Sequence, residues 1–118
     1  MTFLIACLTT GKGTWNHVAQ LMNSGSFEKT FLVTNAFGKE KFTSEKPHEF
    51  VLIKEDKALE EIIVDIVNQL HGKLSGWEVG VNLISGTGKE HMAIISALMR
   101  LGVGFRLVVP GEEGIKEI

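Results

Sequence analysis

Two short segments carry the residue types best suited to holding a charged ligand. "TTGKGTWNHVA" (residues 9–19) and "ISGTGKEHMA" (84–93) each place glycines two apart, Gly11 with Gly13 and Gly86 with Gly88. Each adds a lysine, Lys12 or Lys89, and a histidine, His17 or His91, followed by an apolar residue and an alanine. Glycine permits positive φ and close backbone approach, and the start of a helix offers unpaired N–H groups and the positive end of its dipole. An anion is the expected guest. Lys39 and Lys41, in the segment after the second apolar run, add cations at the same edge.

Neither loop fits an established nucleotide motif. Both begin as G-x-G-x-x but lack the third glycine, and Thr34 and Asn35 stand where a dinucleotide site would carry an acid. Leu83 occupies the first glycine position of a P-loop ending in Gly88-Lys89, and Glu90 follows that lysine in place of Ser or Thr. A tight strand-to-helix turn without a ligand is the plain alternative for each loop; two such loops at one edge favour binding.

The remaining reactive residue types are sparse. His17 and His91 would each lie about one turn into a helix, where an imidazole can act as acid or base; the plainer role is a hydrogen bond to a loop. His48 and His71 have no partners at metal-ligand spacing, so neither a metal nor a cofactor is expected. Cys7 is the only cysteine and lies in an apolar run. It reads as a small core residue in a reducing compartment. Asp56 and Asp65 are the only aspartates and fall on or beside one helix, which leaves no Ser-His-Asp triad.

Positioning these loops requires a regular framework, and the hydrophobic pattern supplies one. Continuous apolar runs at 3–8, 29–35, 49–54, 79–84 and 104–110 fit strands buried on both faces. Helical spacing of apolar residues marks 14–23, 56–70 and 88–102, while 36–48 has no periodicity and reads as a long surface loop with room for a short helical turn. The sum is a single α/β domain over residues 1–118: a Rossmann-like, doubly wound sheet of about five mostly parallel strands, order 3-2-1-4-5, with helices on both faces. In that order strands 1 and 4 are neighbours, the winding reverses between them, and both glycine loops border one crevice.

Composition narrows the setting. A chain of 118 residues that is 44% hydrophobic, with net charge −2, has room for one core and no global field for duplex nucleic acid. The "FLIACL" run is too short for a signal peptide or a spanning helix, so a cytoplasmic protein free of membrane is expected. In the last helix, Ile94, Ala97, Leu98 and Leu101 can face the sheet, yet Met92, Ile95 and Met99 form a second apolar stripe. A homodimer contact is expected there, with packing under a neighbouring helix as the alternative. Trp15, just after the first loop, is the better candidate for stacking on a base; Trp77 reads as packing.

The segment "NLISGTGKEHMAIISALMRLG" (82–102) resembles the strand-4 motif of the CRISPR-associated Rossmann-fold (CARF) domains, N-x-[ST]-G-G-T-[KR], with threonine and glycine exchanged within Ser85–Lys89. The resemblance implies a symmetric dimer that binds a cyclic oligoadenylate across its axis. Thr9, Thr10, Gly11 and Lys12 would line the ligand from one side, and Ser85, Gly86, Thr87 and Lys89 from the other; Gly13 and Gly88 complete the two loops. It also implies slow ring-nuclease cleavage through the ligand's own 2′-hydroxyl, with Thr10 and Lys89 as the catalytic pair. With no room for a second domain, a stand-alone sensor, ligand sponge or ring nuclease is expected. Two alternatives stand beside this reading: a small enzyme acting on a phosphorylated metabolite in the same crevice, and an interaction module with no small ligand.

Overall fold

The apolar runs form strands because their β-branched and aromatic residues are covered on both faces. In β1 (Phe3–Cys7) and the residue after it, Ile5 and Cys7 face one layer while Leu4, Ala6 and Leu8 face the other. The computed structural model describes residues 1–9, 12–74 and 78–118, with Lys12 described through its backbone only.

The remaining elements are α1 (Trp15–Asn23), β2 (Lys29–Thr34), α2 (Ala36–Lys41), β3 (His48–Leu52), α3 (Leu59–Leu70), β4 (Glu78–Asn82), α4 (Gly88–Arg100), β5 (Gly104–Gly111) and β6 (Gly114–Glu117). They build one six-stranded sheet of order β3-β2-β1-β4-β5-β6, parallel except for β6. This is a Rossmann-like α/β fold with the expected strand order. Helices α3 and α4 cover Ile5, Phe31, Val33 and Val81 on one face, and α1 covers Leu4, Ala6 and Leu32 on the other.

Two features differ from the sequence expectation. The sheet has six strands, not five: the chain continues through Pro110 to Gly111 and returns as β6, with Pro110 opposite Ile115. Only Ile115 in that strand is apolar, so alternation gives no signal. The unperiodic segment after β2 begins with a true helix, α2. Asn35 caps it by accepting from the Gly38 N–H at 2.8 Å, and a Cβ on Gly38 would come within 2.9 Å of the Leu8 carbonyl and overlap the Thr34 hydroxyl. A cap and a close contact hold this six-residue helix, where periodicity cannot.

Candidate functional site

Parallel pairing of β1 with β4 brings the two loops together at the carboxyl ends of the strands, where winding reverses. The Thr9 N–H donates to Ser85 Oγ at 3.1 Å, and the Thr9 hydroxyl donates to Glu90 Oε1 at 2.5 Å. The same carboxylate oxygen accepts from the Thr87 N–H at 2.9 Å, while Thr87 Oγ1 accepts from the Glu90 N–H at 3.3 Å. This is a capping box, and it places a carboxylate that is 2% exposed against the first turn of α4. The chain's own anion thus occupies the inner position at that helix start, where the dipole favours negative charge. Glu90 was absent from the candidate residues; the T-x-x-E spacing of Thr87 and Glu90 is the signal that marks it.

Gly86 serves this internal packing. Its φ is +104°, and a Cβ there would lie 2.5 Å from Cys7 Sγ, 3.0 Å from Glu90 Oε1 and 3.1 Å from His91 Nε2. His91 Nε2 lies 2.8 Å from the Ser85 carbonyl, so that nitrogen carries the proton and donates. Burial pushes the Cys7 thiol up to about 12, with the nearby Glu90 charge adding to the rise against a lowering contact from Thr9. Cys7 is fully buried, the core residue expected.

Gly13 and Gly88 differ from Gly86. Both are exposed, neither has positive φ, and a Cβ at either would meet no described atom within 4 Å. Neither backbone strain nor packing among the described residues requires glycine there. The two lie at the starts of helical segments on opposite faces of the sheet: Gly13 in a 3-10 turn, Lys12–Thr14, that leads into α1, and Gly88 as the first residue of α4. Thr10 and Gly11 fall outside the described residues, and Lys12 is placed by its backbone alone.

Lys89 lies at the expected edge but is engaged elsewhere. Its ammonium donates to the carbonyls of Glu55 at 3.1 Å and Lys57 at 2.5 Å, tying the first turn of α4 to the β3–α3 connection. Asn35 Nδ2 donates to the Glu55 carboxylate, so three connections at this edge are linked.

His17 is held on the opposite layer. Asn82 donates to the Val108 carbonyl at 2.8 Å and accepts from the Ile84 N–H at 3.2 Å, which fixes the orientation of its amide. Its second N–H therefore points at His17 Nε2, 2.9 Å away, and that nitrogen must be the acceptor. Burial lowers the His17 pKa, which also favours the neutral ring. His17 is thereby a neutral imidazole protonated on Nδ1. Trp15 is 8% exposed and packs against Phe42, so it offers no open face for stacking; Trp77 lies outside the described residues.

On α4 the second apolar stripe is uncovered. Met92 is 61% and Met99 69% exposed, and with Ile95, Ser96 and Arg100 they line a shallow groove of about 460 Å³. Packing under a neighbouring helix does not account for these methionines. Among the described residues no group of three His, Cys, Asp or Glu side chains could hold a metal ion, and no helix is long and apolar enough to cross a membrane.

No protein-family model matches the chain, and no curated protein matches it. Its own residues define a class of fold, a Rossmann-like α/β sheet whose first and fourth strand loops meet at the switch point.

Proposed function

We propose that this chain is a ligand-binding domain for a nucleotide, a cyclic oligoadenylate held on the two-fold axis of a homodimer by the loops after β1 and β4. The observation that carries the reading is the pair of exposed glycines, Gly13 and Gly88, at helical starts that follow the paired strands β1 and β4, where neither backbone φ nor any described residue requires glycine. No described atom lies within 4 Å of a Cβ at either position, and a helical start free of side-chain bulk suits an incoming phosphate. The two loops have unequal shares. Thr87 and Glu90 satisfy the start of α4 internally, and Lys89 is engaged with the carbonyls of Glu55 and Lys57. The loop around Lys12 and Gly13 therefore takes the larger part of the phosphate contact, and Lys89 chiefly holds the loops in place. Dimerisation through Met92, Ile95 and Met99 would cover the exposed stripe of α4.

Slow ring opening belongs to the same reading. The ligand's 2′-hydroxyl attacks the adjacent phosphorus as its proton departs, the bond from phosphorus to the 5′-oxygen breaks to leave a 2′,3′-cyclic phosphate, and the released 5′-oxygen takes up a proton to become a hydroxyl. Thr10 and Lys89 are the residues assigned to that step, Lys89 after release from its two carbonyls. A second reading, an interaction module without a small ligand, is favoured by the Glu90 carboxylate in the inner anion position and by the engagement of Lys89.

Thermal-shift and calorimetric titration with cyclic oligoadenylates, mononucleotides and sugar phosphates separates these readings. A cyclic oligoadenylate is expected to raise the melting temperature and bind one per two chains. Lys12→Ala should weaken binding by about tenfold, the loss of one charge-assisted contact. Lys89→Ala should mainly lower the melting temperature of the ligand-free protein. If no phosphorylated compound shifts the melting temperature, the nucleotide reading is overturned in favour of the interaction module. One ligand per chain without dimerisation points to an enzyme acting on a phosphorylated metabolite.

A further inference from the structure

The apolar stripe of α4 has a bare neighbour on the sheet. Val108 packs toward α1 while Phe105 packs toward α3 and α4, so alternation turns Leu107 and Val109 to the α4 side. The Ile118 N–H donates to the Leu107 carbonyl at 2.9 Å, which sets Ile118 opposite Leu107 on that same side. After β5 the chain returns as β6 in place of a helix, and no described element covers this strip. Leu107 is 41% and Ile118 75% exposed, and with Val81, Leu83, Ile84 and Val109 they line a trough of about 230 Å³.

Across this face the elements follow in a fixed order. Helix α3 lies toward the far edge, where Gln69 bonds both backbone groups of Leu52 on β3; α4 comes next, and the bare strip of β5 and β6 last. A two-fold axis parallel to the strands, between α4 and the strip, lays the α4 of each copy on the strip of the other. The levels agree. Helix α4 runs against the strand direction, so Met92 stands level with Val109 and Met99 with Phe105 and Leu107; the first pair of positions spans ~10 Å of helix and Val109 to Phe105 ~13 Å of strand.

Charge selects the same axis. The rotation carries α3 past the partner's β6, bringing Glu60 and Glu61 of its first turn to the level of Lys116, which lies opposite Val109. All three are exposed and make no ion pair among the described residues. An axis across the strands would set the acidic α3 ridges on each other and leave both strips bare.

We infer that the occupant of the bare β5–β6 strip is α4 of a second copy, so that each subunit supplies the helix the other's sheet lacks. This rests on the homodimer reading above and extends it from one helix to a self-complementary surface of helix and sheet, with the carboxyl ends of β1 and β4 of both copies at one end of the dimer.

The test joins sedimentation with cross-linking between full-length chains of two sizes, one carrying a tag. Leu107→Arg should weaken self-association at least tenfold, and Ile118→Arg should do the same if Leu107→Arg does not fold. Mixed Met99→Cys and Leu107→Cys chains should form a disulfide between copies on mild oxidation, as should Met92→Cys with Val109→Cys, while the buried Cys7 stays unreacted. If the unmodified chain and both arginine variants are dimers and no mixed disulfide forms, the strip is not the interface, and the homodimer reading survives with α4 alone. An unmodified chain that is monomeric overturns both.

Discussion

Gly86 and Glu90 show how one loop can contain a ligand-like sequence and spend part of it on itself. With φ at +104° and Cys7 Sγ only 2.5 Å from a prospective Cβ, Gly86→Ala meets both backbone strain and overlap. It should destabilise the protein by about 2 kcal/mol or more in urea denaturation, and adding Cys7→Ala should restore only the part due to overlap. Cys7 itself should be inert. Its thiol is held up near 12 by burial, so at about pH 8 iodoacetamide should label the urea-unfolded chain and spare the folded one. The glycines in the second loop look alike in sequence, yet one meets three side-chain atoms and the other meets nothing, a difference that only neighbours distant in the chain create.

Among the elements, α1 and α4 begin in similar sequences and end in different circumstances. Helix α4 is closed by its capping box, while α1 is tethered laterally through His17 to Asn82 between β4 and β5. The lowered His17 pKa has a defined consequence for stability. Below the ordinary imidazole value of 6.5 the unfolded chain takes up a proton that the folded chain resists. This contribution is full above 6.5 and is lost as pH falls toward the lowered native value. His17→Gln should flatten that portion of the stability curve, measured by denaturation between about pH 5 and 7.5. The strands and the three longer helices are legible from apolar runs and periodicity. Helix α2 and strand β6 are not, because a cap, a glycine contact and an edge pairing make them.

At the scale of the whole molecule, the two layers are unequal outside as well as inside. The α1 layer closes over its core, whereas α4 leaves Met92 and Met99 in solvent beside Ile95. In the proposed dimer these side chains are covered, so Met92→Glu and Met99→Glu should each yield a monomer in sedimentation analysis. Since both side chains are exposed, urea denaturation should change little on a per-chain basis. A monomeric unmodified chain, or variants that still pair, would sink the α4 contact.

The amino-acid sequence by itself determined the α/β class, the order of the five parallel strands and the edge at which the two glycine loops meet. Burial on both faces demands continuous apolar runs, and the handedness of crossover connections leaves few ways to arrange them. Tertiary structure alone decided what the described polar residues at that edge do. The Glu90 carboxylate enters the start of α4, Lys89 turns to the carbonyls of Glu55 and Lys57, and Trp15 sinks while Phe37 surfaces. The physical reason is that a charge or a ring takes the partner nearest in space, and spacing along one strand of sequence does not contain the positions of the other strands' ends.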